Sequence, residues 1–150
     1  MEKISLLNCV FLAGCGFCII ECKYAEDWYL NKKRSVAKQI SSDEYITYIA
    51  LENDRVVGFI GLLKQLKGRY MILDMMQVSS ECRGLGIGRR LFEVGKDEAR
   101  KKGAEALYIS ACSSEETIAF YRAMGSDLTV NPIKEIAEEE PFDLQMMCPV

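Results

Sequence analysis

Met75-Met76-Gln77-Val78-Ser79-Ser80-Glu81-Cys82-Arg83-Gly84-Leu85-Gly86-Ile87-Gly88-Arg89-Arg90-Leu91 begins as an apolar run, breaks into a loop with three glycines in five residues, and resumes at helical spacing. The reading is a buried strand, a glycine turn and a helix start. Such a joint can hold an anion. Glycine tolerates positive φ and lets a ligand approach main-chain N–H groups, while the first turn of the helix adds unpaired donors and the positive end of its dipole.

Upstream, Tyr45 to Leu51 and Val56 to Leu63 are β-branched and aromatic runs separated by Glu52-Asn53-Asp54-Arg55, which predicts an antiparallel hairpin. Leu66-Lys67-Gly68-Arg69 makes the next turn, and Tyr70 to Val78 is a third, largely apolar strand with a central place in the sheet. Asp74 is its polar exception. It either faces a pocket and acts on an amine, or is paired or solvated on the sheet's open face.

Downstream, Ile87, Leu91, Phe92 and Val94 or Gly95 recur at helical steps, with basic residues gathering toward Arg100-Lys101-Lys102 and Gly103 as the stop. Ala106 to Ala111 is a short buried strand, parallel to the one before the helix. Ser113-Ser114-Glu115-Glu116 predicts an N-cap and capping box for a second crossover helix, Glu115 to Met124, ended by Gly125. Leu128 to Val130 and Phe142 to Met147 are expected to close the sheet as hairpin strands. The run Glu135-Ile136-Ala137-Glu138-Glu139-Glu140 between them reads as a solvated surface.

The N-terminal part is less regular. A buried strand is expected near residues 4 to 11, and Glu21 to Gln39 is rich in helix formers, with Tyr24, Trp28, Tyr29 and Val36 on an apolar face that reads as core. Leu12-Ala13-Gly14-Cys15 spells a lipoprotein cleavage box. The charged start is only Met-Glu-Lys, however, and Asn8 and two glycines interrupt the run, so export is not the expectation.

Composition narrows the chemistry. A chain of 150 residues fits one domain, 1-150, with a core that needs no metal or disulfide. A net charge of -3 gives no electrostatic footprint for nucleic acid, and no membrane partner is expected. Histidine is absent, which removes the usual general base and the commonest metal ligand. The seven cysteines are odd in number and sit mostly among apolar neighbours, which suits a reducing cytoplasm. Cys15, Cys18 and Cys22 read as buried thiols and not as a zinc or redox centre, so no metal is expected.

Arg83-x-x-Gly86-x-Gly88 between a strand and a basic helix resembles motif A of the GNAT superfamily of N-acetyltransferases. Val78 stands five residues before the arginine, as is usual there, and Phe120-Tyr121-Arg122-Ala123-Met124-Gly125 resembles the superfamily's Phe-Tyr-x-x-x-Gly element. The resemblance covers about residues 45 to 148. Other phosphate loops fit less well: there is no Gly-Lys-Ser/Thr, and Gly84-x-Gly86-x-Gly88 has the wrong spacing for a dinucleotide fingerprint.

The resemblance implies an α/β fold with a central, mostly antiparallel sheet, a parallel strand pair at the cofactor site, and flanking helices. It implies acetyl-CoA as co-substrate and an amine-bearing small molecule or peptide as acceptor; a homodimer is compatible with it. The backbone of Arg83, Gly84, Leu85, Gly86, Ile87, Gly88 and Arg89 would hold the pyrophosphate, and the edge of Met76, Gln77 and Val78 would pair with the pantetheine arm. The acetyl carbonyl would meet an N–H near Val78. Tyr121 would protonate the leaving thiolate.

Two departures stand out: Ser80 replaces a common proline, and Ser114 replaces the asparagine that often touches the cofactor, a contact that the resemblance implies Ser114 would keep through its hydroxyl. The first forty residues match poorly, so the acceptor stays unnamed. The base is open among Asp74, Glu52, Glu115 and an ordered water. A non-catalytic acyl-CoA-binding or interaction module is the rival reading, against which Tyr121 argues.

Overall fold

A computed structural model describes residues 5–8 and 30–150. Its elements are β1 (Ser5–Asn8), α1 (Leu30–Ile40), β2 (Tyr45–Glu52), β3 (Arg55–Leu63), β4 (Tyr70–Val78), α2 (Ile87–Lys101), β5 (Ala106–Ala111), α3 (Glu115–Ala123), β6 (Asp127–Leu128), α4 (Lys134–Glu139) and β7 (Leu144–Pro149). The expectations placed on Tyr24, Trp28, Tyr29, Cys9, Cys15, Cys18 and Cys22 lie outside the described residues.

The strands form one sheet in the order β1-β2-β3-β4-β5-β7-β6. Neighbours are antiparallel except β4 and β5, which run parallel and are joined by α2. The mixed α/β architecture with one parallel pair is therefore as expected, and β4 is the fourth of seven strands. The β2–β3 hairpin turns on Asn53 and Asp54, whose φ angles of 49° and 61° give the left-handed turn that matches strand twist.

Helices α2 and α3 cover one face. Ile87, Leu91, Phe92 and Ala99 of α2 and Tyr121 of α3 share a core with Ile60, Leu62, Met71, Leu73, Leu107, Ile109 and Met146. Leu91 and Phe92 are wholly buried, and each such side chain contributes roughly 1.5–3 kcal/mol. The open choice between Val94 and Gly95 falls on Gly95, where a Cβ would lie 2.9 Å from Ile60 Cδ1; the helix needs a bare backbone there to sit on β3. On the opposite face, Val36 and Ile40 of α1 pack on Tyr45, Ile49, Val56 and Phe59.

The C-terminal part corrects two expectations and bears out a third. No capping box starts α3: Ser114 is the cap, but its third following residue is Thr117, whose N–H and hydroxyl both meet Ser114 Oγ. The last hairpin is shorter on its first strand and shifted on its second, β6 being only Asp127–Leu128 and β7 beginning at Leu144. Part of the acidic run forms α4, which is solvated as expected; the 3.7 Å Lys134–Glu138 pair lies on it.

Candidate functional site

The sheet splits in its middle. β4 and β5 pair over four rungs, from Tyr70↔Ala106 to Leu73↔Ile109, and no further. β4 stays on β3 as far as Val78↔Gly58, while β5 stays on β7 as far as Ala111↔Leu144. The cause is local. Gly61 pairs with Met75 and Leu62 with Leu73, leaving Asp74 as the extra residue of a bulge. A bulge bends its strand and increases the twist, so β4 turns away from β5 at Asp74 and leaves Met75 to Val78 without a neighbour on the β5 side.

The glycine loop lies at the end of that free edge. Ser79 N–H donates to Val57 O, a 3-10 turn over Ser80–Cys82 follows, and Arg83 Nε reaches back to Val78 O at 3.4 Å. Gly86 caps α2 with φ 81°, and Gly84 has φ 78°. The main-chain N–H groups of Leu85 to Arg89 have no partner among the described residues; Arg90 is the first to donate within the helix, to Gly86 O. Five successive donors at a helix N-terminus form an anion cradle. Leu85 and Arg89 are exposed around it, and Ile87 is turned into the core.

Gly88 is where loop, strand and α3 meet. A Cβ there would lie 3.2 Å from Phe120 Cε2 and 3.7 Å from Val78 Cγ2. Phe120 precedes Tyr121 on α3, and Tyr121 is turned into the core. The Tyr121 ring packs on Phe92 and Phe120 at centroid distances of 5.8 and 5.3 Å. Its hydroxyl makes no hydrogen bond among the described residues, and burial pushes its pKa well above the usual value for a phenol, so it keeps its proton at neutral pH.

The expected donor-site residues Met76, Gln77, Val78, Arg83, Gly84, Leu85, Gly86, Ile87, Gly88 and Arg89 thus form one continuous strand edge and loop; Tyr121 stands apart from them on α3, packed on Phe92 and Phe120. Ser114, at the exposed N-terminus of α3, is occupied in capping.

The candidates for the base separate. Glu52 ends β2, with Cys82 Sγ 4.0 Å away, and Glu115 is exposed in the first turn of α3. Asp74 sits at the fork on the α1 face. It is exposed and paired, accepting from Tyr45 Oη at 2.7 Å and Gln39 Nε2 at 3.3 Å, which is the second of the two readings offered for it. Burial, with the bond to Asp74 second, raises the Tyr45 pKa to about 12.

Neither Tyr45 nor Gln39 was singled out from the sequence; nor was a chain from Tyr108 through Gln145 and Ser110 to Asp143. The signal for the chain was present, since Tyr108 and Ser110 alternate on one strand and Asp143 and Gln145 at the next. Among the described residues, no group of histidine, cysteine or carboxylate side chains could hold a metal ion, and no helix is long and apolar enough to cross a membrane. A concavity of about 630 Å³, lined by Glu44, Leu63, Lys64 and Leu66 among others, lies where β3 ends and β4 begins, at the opposite end of β4 from the glycine loop.

Solved structures share this architecture. The chain is similar to nourseothricin acetyltransferase, with 25% identity, 71% of this chain and 66% of that one covered, and a TM-score of 0.60. It therefore spans just under two thirds of that protein. It is also similar to an aminoglycoside 6'-N-acetyltransferase complexed with coenzyme A (18% identity, 99% and 97% covered, TM-score 0.69) and to an IAA acetyltransferase from Bacillus cereus (16%, 99% and 100%, TM-score 0.70). At such identities the last two speak for the fold alone. No curated protein matches the chain in sequence. The family model for the acetyltransferase (GNAT) family matches residues 17–125, a span that contains the fork, the glycine loop and Tyr121. On that match, which exceeds half of its length, the chain belongs to the GNAT acetyltransferase family.

Proposed function

We propose that the chain, acting as one domain over 1-150, is an acetyl-CoA-dependent N-acetyltransferase whose acceptor is a primary amine of a small molecule or peptide. The observation that carries this reading is the fork: a free strand edge at Met75 to Val78 runs up to a glycine loop with five unpaired N–H donors. The residues fit the donor, because the backbone at Leu85 to Arg89 can neutralise a pyrophosphate and a β-edge can pair with the amides of an extended arm. Acetyl-CoA supplies an activated thioester.

The chain's own groups supply the rest. A main-chain N–H near Val78 faces the acetyl oxygen as negative charge develops on it. Asp74, at the fork on the face away from α2, takes the proton of the acceptor ammonium, directly or through one water, and Tyr45 orients its carboxylate. Tyr121 gives its proton to the departing sulfur. The free thiols Cys82, Cys112 and Cys148 suit a reducing cytoplasm.

The test is transfer of label from acetyl-CoA to a panel of amines. Labelled amide product is expected from wild-type protein; tight acetyl-CoA binding with no product from any amine would instead assign a non-catalytic acyl-CoA-binding module.

A further inference from the structure

We infer that the β6–β7 hairpin is a docking surface for a basic polypeptide segment that also carries apolar side chains. Four of the five exposed large hydrophobic residues among the described ones lie on it: Leu128, Val130, Phe142 and Leu144. Val130 is 91% exposed and Phe142 88%. The strand pairing gathers them. Leu128 stands opposite Met146, and Leu144 lies two residues before it on β7, so both share the face on which Met146 enters the core. The bond from Thr129 N–H to Gln145 O at 3.0 Å extends the pairing by one step and brings the next residue, Val130, to the level of Leu144. Phe142 sits in the turn just before β7, closed by Asp143 N–H on Glu140 O at 3.1 Å.

The same hairpin concentrates the chain's negative charge. From Asp127 to Leu144 there are six carboxylates against one cation, Lys134, a charge of -5 in a chain whose total is -3. Glu135, Glu138, Glu139 and Glu140 are all exposed. Of the six, only Glu138 has an ion-pair partner among the described residues, Lys134 at 3.7 Å. Charge therefore decides the occupant. A second copy seated here about a two-fold axis would set one such surface against its like, and an anionic bilayer or a nucleic acid is repelled in the same way. A segment with arginine or lysine spaced among leucine-like side chains matches both features. An aromatic side chain such as Phe142 offers roughly 150–250 Å² for burial, and a patch of a few hundred Å² is the size that marks interaction sites on monomers. That is enough to anchor a short segment, and it falls short of the roughly 800 Å² per partner of a stable globular interface.

The probe is a short N-acetylated peptide alternating arginine and leucine, titrated into the isotope-labelled full chain while amide chemical shifts are followed. Control peptides alternate arginine with serine and glutamate with leucine. The arginine–leucine peptide is expected to move the amides of Leu128 to Val130 and Glu139 to Leu144 most, to bind about tenfold or more tightly than either control, and to weaken as salt is raised. Phe142→Ser, at a side chain already in solvent, is expected to weaken binding by about tenfold or more at unchanged melting temperature. The pair Glu139→Gln and Glu140→Gln is expected to lower the affinity and flatten its salt dependence.

Equal binding of either control peptide, shifts centred elsewhere on the chain, or no binding would each overturn the inference, and the wild-type comparison decides this without the variants. Sedimentation of the chain alone tests the other occupant: a dimer that Phe142→Ser returns to monomer would assign the patch to a second copy and overturn the inference as well. None of these measurements depends on acetyl transfer, so the reading of the donor site stands or falls separately.

Discussion

Replacing Tyr121 by phenylalanine separates chemistry from packing. The ring's neighbours, Phe92 at 5.8 Å and Phe120 at 5.3 Å, touch carbon that phenylalanine retains, so the 3–5 kcal/mol cost of truncating a buried aromatic does not arise. The hydroxyl has no hydrogen-bond partner among the described residues and pays for its burial, so deleting it changes stability by about 1 kcal/mol or less, in either direction. General acid catalysis is worth about 10²–10⁴ in rate, and a thiol with pKa near 8.5 is already a fair leaving group; the loss therefore belongs near 10². Thiol release from acetyl-CoA measures kcat, and thermal melting measures stability. A drop of about 100-fold at nearly constant Tm is expected. Unchanged kcat would refute the acid role, and a Tm loss of many degrees would show the hydroxyl to be structural.

Three further outcomes follow from the same geometry. Gly86→Glu puts a side chain at φ 81°, a backbone strain that should cost roughly 1–2 kcal/mol in denaturant titration, offset in part by the favourable placement of a negative charge at the N-terminus of α2. The same charge, competing for the unpaired N–H groups, should weaken acetyl-CoA binding at least tenfold by calorimetry, and the space around a Cβ there is open, so steric filling plays no part. Ser114→Ala removes the cap of α3 and should lower stability by about 1 kcal/mol on chemical denaturation, with little change in acetyl-CoA affinity, because Ser114 Oγ is engaged with Thr117. Alkaline stability should also report Tyr45: its folded pKa of about 12 lies above the unfolded value near 10, so the folded state holds its proton longer and this contribution is complete below pH 10 and lost as pH rises toward 12. Tyr45→Phe should flatten that decline in stability between pH 10 and 12, as followed by equilibrium unfolding.

Legibility in the sequence tracked the range of the interactions. The Tyr70 to Val78 strand, the Ile87 helix and the Ala106 to Ala111 strand have the bounds expected or nearly so, because each carries its own period and stop signal. Gly86 and Gly88 were legible for the same reason, the one needing a left-handed φ and the other a bare backbone against Phe120.

The fork was not legible from residue patterns alone. It depends on which residue of β4 is skipped in pairing with β3, and Asp74 as the bulge emerges only from the register across two strands. The same holds for Tyr45, 29 positions from the carboxylate it binds, and for Asp143, 33 positions from Ser110. The second β-strand signal at Phe142 failed because that ring is almost fully exposed, with nothing for the strand to bury there.

The central claim is that acetyl-CoA lies along the free edge of β4 with its phosphates at the glycine loop. Amide chemical shifts followed by NMR during titration with acetyl-CoA test this most directly. The account predicts the largest changes at Gly84 to Arg89 and Met76 to Val78, with little change at Leu63 to Leu66. Shifts concentrated on the Leu63 to Leu66 concavity, with the glycine loop silent, would contradict it.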